Sequence, residues 1–357
     1  MKTRARRFFH RRLDGLPQRR SPAATEPVHS TIVPAGYRMV AGEAQGDVTD
    51  APFALTTSQG LLVWNGQHFD HLTRRPAYGL TVRDGVLWIF HRIGRHGQVV
   101  TVHRHQEHVE VVPRVWGLPG GEHHIDFVDD ELLVTDPVNG RILGYRLDDG
   151  IPAVHATRAV RSLGLGERAP RAPVRIGALF RHDQLLLVLA DSGQGPGARQ
   201  SEIWAFDSAS RLVAVVPAGG SQCHNLFFDG EQFVLCRSPE RIVARGRQPV
   251  YRTDGFPRGL AVGEDRVLVG ASALPHALPG RGNGVAHVDV LDRDFVRWGR
   301  ISLRHGQIQN IRLLSGDLAL SNAGRATAQA SAPPRIRHPG RPPNLAAIPA
   351  PPTGREA

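Results

Sequence analysis

The chain has 357 residues, of which 41% are hydrophobic and 22% charged, a composition that excludes disorder throughout. No apolar run reaches the 18 or so residues of a membrane-spanning helix, and the N-terminus MKTRARRFFHRR lacks the apolar core of a secretory signal, so we expect a soluble, cytoplasmic protein. The formal net charge of +11 lies in the two ends, and the chain between them carries 31 residues of each sign, which argues against a uniformly basic nucleic-acid-binding domain.

The first segment in chain order is a basic extension over residues 1–50, which we expect to be largely disordered. Residues 1–20 hold eight basic residues against one acidic residue, Asp14. Such a segment could contact nucleic acid or an anionic membrane, with Phe8, Phe9 and Leu13 as weak apolar anchors. A solvated extension is the favoured interpretation, because the segment has little apolar surface to bury.

Between residues 51 and 322 the pattern is a series of short apolar strands separated by tight polar turns. Six hairpins are visible, and several turns carry Asp or Gly where a hairpin needs a positive φ. The predicted hairpins span residues 78–90, 123–136, 175–191, 223–238, 257–272 and 310–322. Outer strands are predicted at 141–147, 201–207 and 285–292.

Repeats of roughly 35 to 50 residues built from four strands are typical of propeller blades. The sequence therefore predicts an all-β fold, a six-bladed β-propeller, with seven blades as the alternative if residues 52–73 form a blade of their own. In the six-bladed arrangement, strands 61–64 and 68–73 supply the outer pair of the last blade and close the ring. Residues 323–357 are dense in Pro, Ala and Arg and predict a disordered tail.

The run DPVNGRILGY at residues 136–145 resembles the NHL repeat, which has an Asp-x-x-Asn-x-Arg-Ile pattern before an aromatic residue. The wider order HHIDFVDD, SEIWAFD, CHNLFFDG and FPRGLAVG resembles bacterial six-bladed propellers of the NHL-repeat/TolB-like superfamily, over roughly residues 55–320. Blade three departs from the pattern, with SGQGPGA at 192–198 where an Asn-x-Arg step is expected. The resemblance implies a fold but no single activity, since this superfamily includes lactonases, lyases, sulfotransferases and binding modules.

The innermost strands of a propeller face its central channel, so equivalent positions on them converge near the axis. Aligning the six hairpins on their turns predicts a convergent row of Gly79, His124, Ile176, His224, Arg258 and Asn310. Neighbours that could join this row are His123, Asp126, Arg175, Asn225 and Gln309.

This row is rich in hydrogen-bond donors and poor in carboxylates, which favours an anionic ligand. Arg258 could hold a carboxylate, phosphate or sulfate in a bidentate pair, with Asn310, Asn225 and Arg175 as further contacts. His124 and His224 could act as donors or as general acid and base. The alternative is a wet channel whose polar side chains bind only water.

A divalent metal is a further hypothesis, with His124, His224 and Asp126 as ligands. No HxH or HExxH spacing supports it, and the cofactor stays open. The chain also has no GxSxG nucleophile elbow and no GxxxxGK[ST] loop.

Two functional classes therefore remain. The first is a small-molecule enzyme or binding protein, as an enzyme a hydrolase or lyase using histidine acid-base chemistry. The second is a non-catalytic scaffold that recruits protein partners through its rim loops and basic tails. We expect a monomeric propeller in either case.

The two cysteines lie in one predicted hairpin. If Asp229-Gly230 is a two-residue turn, Cys223 and Cys236 face each other across it, and a disulfide is geometrically conceivable. Without a secretory signal we expect both thiols to be reduced core residues.

Overall fold

The computed structural model describes residues 31–34, 39–40, 42–48, 51–105, 108–121, 124–137, 140–146, 161–164, 175–191, 200–273 and 284–314. All regular elements within these ranges are β-strands, arranged in six antiparallel sheets. No helix capable of crossing a membrane occurs among the described residues.

The strands follow one another from the N-terminus in groups that we name by blade. Three short strands come first: β1 (Thr31–Pro34), β2 (Met39–Val40) and β3 (Gly42–Gly46). The next three belong to blade 6: β4 (Phe53–Thr57), β5 (Gly60–Trp64) and β6 (Phe69–Thr73). Blade 1 contains β7 (Ala77–Arg83), β8 (Val86–Ile93), β9 (His96–Arg104) and β10 (His108–Pro119).

Blades 2 to 4 each follow as four consecutive strands. Blade 2 contains β11 (Ile125–Val128), β12 (Glu131–Asp136), β13 (Arg141–Arg146) and β14 (Arg161–Gly164). Blade 3 contains β15 (Arg175–His182), β16 (Leu185–Asp191), β17 (Glu202–Phe206) and β18 (Leu212–Pro217). Blade 4 contains β19 (Cys223–Phe228), β20 (Phe233–Arg237), β21 (Ile242–Arg245) and β22 (Gln248–Arg252).

The last two blades draw on both ends of the described chain. Blade 5 contains β23 (Phe256–Val262), β24 (Val267–Ser272), β25 (Ala286–Leu291) and β26 (Arg297–Leu303). The final strand, β27 (Ile308–Leu313), is the innermost strand of blade 6 and pairs with β4.

The innermost strands form a closed ring. In order around the ring, β7, β11, β15, β19, β23 and β27 each contact the next, and β27 contacts β7. The predicted six-bladed propeller is therefore confirmed, and the segment around residues 52–73 is part of blade 6 rather than a seventh blade.

The core is divided among the six interfaces between neighbouring blades. Each interface encloses one cluster of buried apolar side chains, and together these clusters run once around the ring. The burial pattern follows from strand alternation, because successive side chains of one strand point to the blade before it and the blade after it. In β4, for example, Leu55 packs toward blade 5 and Ala54 toward blade 1.

Tight turns link the first two strands of several blades, as predicted from the Asp and Gly residues in the hairpin sequences. Asp84 and Gly85 have φ values of 50° and 76°, the left-handed pair that a two-residue hairpin turn requires. Asp129 and Asp183 also have positive φ, at 55° and 51°. These three turns set the register of the inner strands in blades 1, 2 and 3.

Closure of the ring differs from the prediction in one respect. We expected two strands of the last blade from the C-terminal side and two from the N-terminal side. Instead β4 pairs directly with β27, so the N-terminal side supplies three strands. The predicted second strand of the 310–322 hairpin falls outside the described residues, and β4 holds its place because Phe53 and Leu55 fill the apolar interface with blade 5.

Three short strands precede residue 51, in the segment that the sequence led us to expect to be largely disordered. Each lies on the outer edge of a different blade: β1 beside β10 in blade 1, β2 beside β6 in blade 6, and β3 beside β26 in blade 5. We call this run, residues 31–46, the N-terminal strap. It spans the closing blade and both of its neighbours, which gives these three blades five strands each.

Candidate functional site

The channel residues can be compared between blades through one shared feature of the inner strands. Each inner strand carries a buried Leu or Ile opposite a buried Val, Ile or Leu of the second strand, and each packs toward the preceding blade. These anchor residues are Leu80, Ile125, Leu179, Leu226, Leu260 and Ile311.

Counting from the anchors defines three rows of channel residues. The outer row lies two residues before the anchor and consists of Tyr78, Gly177, His224, Arg258 and Gln309, with His123 outside the described residues. The middle row lies one residue before it and consists of Gly79, His124, Ala178, Asn225, Gly259 and Asn310. The floor row lies one residue after it and consists of Thr81, Asp126, Phe180, Phe227, Ala261 and Arg312.

The convergent row predicted from the turns mixed these rows. His124 and Asn310 lie in the middle row, whereas His224 and Arg258 lie in the outer row, so His124 is equivalent to Asn225 and not to His224. Two physical features cause the offset. Five of the six inner strands contain a register shift just before the anchor, and blade 4 has a four-residue connection between Phe228 and Phe233 instead of a two-residue turn.

The outer and middle rows form the mouth of the channel, at the end where the inner strands begin. Asn225, buried and with a φ of 53°, donates from its side-chain amide to the backbone carbonyl of Arg258 in the next blade. The ring of His224 lies 6.0 Å from that of Phe256, two residues before Arg258. The structure thus brings His224, Asn225 and Arg258 together at the boundary between blades 4 and 5.

Asn310 and Arg175 have different surroundings from those three. Asn310 is 2% exposed, and its side-chain oxygen accepts a hydrogen bond of 2.8 Å from the Ile311 amide, so part of it is used to shape its own strand. Arg175 is exposed at the first position of β15, opposite the buried Asp191. Burial raises the pKa of Asp191 and the charge of Arg175 opposes that rise, which places Arg175 beside a carboxylate rather than among the donors.

The floor row crosses the channel. Arg312 of blade 6 donates from Nη2 to Asp126 Oδ2 of blade 2 at 3.1 Å. Asp126 Oδ1 accepts from Thr81 Oγ1 of blade 1 at 2.7 Å and from the Phe127 amide at 2.9 Å. The Arg312 guanidinium also lies 5.4 Å from the ring centroid of Phe227 in blade 4, within cation–π range.

His124 lies in the middle row, the part of the mouth nearer to the floor, and is 8% exposed. Burial, together with the positive charge of Arg312, lowers its pKa to about 4, against a smaller opposing effect of Asp126. At neutral pH its imidazole is therefore uncharged. Its Nδ1 atom is buried and has no hydrogen-bond partner among the described residues.

The predicted metal set of His124, His224 and Asp126 is not assembled. In the described ranges no group of three or more His, Cys, Asp or Glu side chains is placed to hold a metal ion. Asp126 directs its carboxylate to Arg312 and Thr81, and His124 and His224 occupy different rows. Among the described residues, these three side chains therefore do not form a cation site.

Sequence reasoning missed Arg312, Thr81 and Phe227 as channel residues. Each follows directly after a buried Leu or Ile in an inner strand, so alignment on those apolar positions finds them. Aligning on the turns hides them, because the turns of blades 2 and 4 differ in length.

Two residues of the run at 136–145 in blade 2 contact each other. Asp136 and Arg141 lie opposite each other at the β12–β13 connection, and Arg141 Nε donates to Asp136 Oδ2 at 2.9 Å. The Asp136 side chain is fully buried, so this charge-assisted contact stabilises the turn.

The chain was compared with known proteins at three levels. No protein-family model and no curated protein sequence matches it. Solved structures to which it is similar include TolB from Acinetobacter baumannii, with 12% identity, a TM-score of 0.48 and coverage of 73% of this chain and 66% of that one. Another is a proposed 6-phosphogluconolactonase from Bacteroides fragilis, with 9% identity, a TM-score of 0.49 and coverage of 75% and 100%.

A third is a proposed oxidoreductase of glucose dehydrogenase type from Thermus thermophilus, with 16% identity, a TM-score of 0.47 and coverage of 77% and 100%. Likenesses at this level assign neither an activity nor a ligand to the chain. The strand topology itself establishes the propeller.

Proposed function

We propose that this propeller binds a small molecule carrying a carboxylate, phosphate or sulfate group at the mouth of its channel. The observation that supports this most directly is the chemistry of the two rows at the mouth. Their described members include His224, Arg258, Asn225 and His124, and no carboxylate. A site that offers donors and one permanent cation favours an anion over a cation.

Within this proposal Arg258 supplies the charge. Its guanidinium can form two parallel hydrogen bonds to one oxyanion. Asn225 fixes the Arg258 backbone through the hydrogen bond between blades 4 and 5, and this limits the entropy lost when a ligand binds.

A hydrolase or lyase reaction at this site would use His224 for proton transfer. His224 is partly exposed at the mouth, whereas His124 is held uncharged by burial and by Arg312. A histidine whose pKa lies near 4 is a poor proton donor at neutral pH, because only a small fraction of it is protonated. His124 is better suited to hydrogen bonding than to acid catalysis.

The proposal is tested by titrating the full chain with acetate, sulfate and inorganic phosphate in a calorimeter. Binding of at least one of them, weakened about ten-fold or more in Arg258→Gln, is expected for a charged contact of this kind. Arg252→Gln is the matched control, since Arg252 is an exposed arginine on the outer strand β22. Absence of binding, or equal loss in both variants, overturns the proposal.

The alternative is a non-catalytic interaction module, and one described feature favours it. Strand β18 is the outer edge of blade 3, and its Val213 and Val215 are 51% and 48% exposed. An edge strand with exposed apolar residues can pair with a strand of another protein. Val213→Lys with Val215→Lys would abolish such pairing and leave anion binding at the channel unchanged.

A further inference from the structure

Arg312 is a charged side chain that reaches across the channel. It belongs to blade 6, yet it contacts Asp126 of blade 2 and lies over the Phe227 ring of blade 4. Its side chain is 16% exposed. A guanidinium of blade 6 that contacts both blade 2 and blade 4 lies close to the channel axis.

Asp126 fixes the orientation of this guanidinium. The carboxylate is itself held by Thr81 Oγ1 at 2.7 Å and by the Phe127 amide at 2.9 Å. Only Oδ2 is directed to Arg312, at 3.1 Å. The contact is a single hydrogen bond rather than the bidentate pair that arginine and a carboxylate form at full strength.

Most of the hydrogen-bonding capacity of Arg312 is therefore unused. A guanidinium carries five N–H donors, and within the described part of the chain the hydrogen bond to Asp126 is the one that Arg312 makes. In the row above lies the uncharged His124, whose Nδ1 has no partner among the described residues. Within the described part of the chain, Arg312 thus has donors available to a ligand in the channel, while the buried His124 Nδ1 is unpartnered beside it.

We propose that Arg312 is a second anion-binding position, deeper in the same channel than Arg258. The inference rests on the proposed function and names its ligand class: an elongated molecule with an acidic group at each end, such as a dicarboxylate. Arg258 lies in the outer row and Arg312 in the floor row, three residues apart in strand position, which separates their backbones by about 10 Å along the channel. Asp126 and Thr81 are positioning residues in this arrangement.

The ligand chemistry follows from the two depths. One carboxylate is held at the mouth by Arg258, and the other accepts hydrogen bonds from the free donors of Arg312, with the His124 imidazole beside it. Phe227 and Phe180, whose ring centroids are 5.9 Å apart, supply an apolar wall at the floor. This wall suits the methylene chain between two acidic groups.

The test is calorimetric titration of the full chain with glutarate, adipate and pimelate, against acetate and butyrate. The wild-type protein is expected to bind at least one dicarboxylate about ten-fold or more tightly than the monocarboxylates, because the second acidic group adds a charge-assisted contact. In Arg312→Gln this advantage is expected to disappear, while monocarboxylate binding through Arg258 persists. Arg252→Gln, an exposed arginine on β22, should retain the advantage.

The outcomes separate this inference from the proposed function. If Arg312→Gln stays folded and keeps the dicarboxylate advantage, Arg312 has only a structural role and the inference is overturned, while anion binding at the mouth stands. If the wild-type protein binds sulfate or phosphate but no carboxylate, the inference fails and the proposed function stands. If it binds none of these anions, both proposals fail.

A second variant tests the inference even if Arg312→Gln does not fold. Thr81→Val keeps the guanidinium and removes the hydroxyl that orients Asp126. It is expected to reduce the dicarboxylate advantage in part. An unchanged advantage in Thr81→Val overturns the positioning role.

Discussion

The backbone amide of Gln307 donates a hydrogen bond of 2.9 Å to the Ser58 hydroxyl, although the two residues are 249 positions apart in the chain. The Ser58 amide in turn donates to the Gln307 carbonyl at 3.0 Å. Directly beyond this pair, β27 and β4 begin their ladder at Ile308 and Thr57. The ring is therefore closed by strands from opposite ends of the described chain, and the complete ring around the channel exists only when this seam is formed.

Trp64 is expected to be a main stabilising residue of the seam. It is 1% exposed and lies 6.2 Å from the ring of Phe53 and 5.0 Å from that of Phe69. Trp64→Ala should lower the free energy of unfolding by about 3–5 kcal/mol, because it opens a cavity at a fully packed interface. Trp298→Ala is the matched control, since Trp298 is 44% exposed; urea denaturation showing equal losses in the two variants would contradict this assignment.

The N-terminal strap should contribute measurably to stability. Deleting residues 1–25 removes none of the described strands and is expected to leave the unfolding midpoint unchanged. Deleting residues 1–46 removes β1, β2 and β3, and should cost several kcal/mol, at about 1 kcal/mol for each net hydrogen bond. Thermal unfolding of the two truncated proteins makes the comparison, and equal midpoints would show that the strap is dispensable.

A single substitution tests the same strap without truncation. A Cβ on Gly46 would lie 2.4 Å from the Trp298 carbonyl oxygen, in a residue with a φ of +76°. Gly46→Ala should therefore destabilise the protein more than Gly94→Ala, because Gly94 has a φ of +61° but nothing within 4 Å of its Cβ position. The two variants share the cost of a positive φ and differ in the steric clash.

Both cysteines are expected to remain reduced and unreactive in the folded protein. Cys223 lies opposite Arg237 and Cys236 opposite His224, and the two thiols pack in different inter-blade clusters. The predicted face-to-face pair is wrong, because the four-residue loop after Phe228 and the register shift at Asn225 move the register. The disulfide that this pairing made conceivable is absent, and both thiols are free.

Thiol titration with an aromatic disulfide reagent checks this expectation. Burial raises the pKa of Cys223 to about 11 and that of Cys236 well above its usual range, so little thiolate is present at neutral pH. Neither thiol should react before unfolding, and both should react in denaturant. A Val213→Cys variant provides an exposed thiol as the positive control; rapid reaction of the wild-type protein would show that its cysteines are accessible.

The fold was largely predictable from the sequence because blade patterning is local. A hairpin needs an apolar strand, a turn with suitable φ and a second apolar strand, and all three features lie within a short stretch of sequence. Asp84 and Gly85, for example, specify the turn between β7 and β8. The strand partner of β27 was not predictable in the same way. It depends on pairing between distant segments. Strand β4, which contains Phe53 and Leu55, occupies the position beside β27 that we predicted for the residues following β27 in the chain.

The channel was harder to predict because its geometry depends on β-bulges. One extra residue before an anchor changes which side chain faces the axis, as the offset between His224 and Asn225 shows. Arg258 was found because alignment of the hairpins on their turns placed it in one row with His124 and His224. Arg312 was overlooked because its contact with Asp126 joins two hairpins that only the closed ring brings together.

Stability should fall as the pH is lowered from about 6.5 toward 4, because buried histidines, among them His91 and His124, resist protonation. Burial, and to a smaller extent Arg75, lowers the pKa of His91 to about 3, while burial and Arg312 lower the pKa of His124 to about 4. In the unfolded chain both take up a proton near pH 6.5. Between these values the unfolded state binds more protons than the folded state, so acid favours unfolding, by up to about 1.4 kcal/mol per pH unit for each histidine.

Urea denaturation of the wild-type protein, His91→Gln, His124→Gln and the double variant at pH 8, 6 and 5 measures this effect. Each substitution is expected to reduce the loss of unfolding free energy between pH 6 and pH 5, because glutamine does not titrate. Any change in stability at pH 8 is a separate effect of the substitution. His91 also contacts Thr73 Oγ1 through Nε2 at 3.0 Å, a hydrogen bond that a glutamine amide can replace. If the wild-type stability is constant from pH 6.5 to 5, the two imidazoles are not held neutral and the proposed hydrogen-bonding role of His124 in the channel loses its basis.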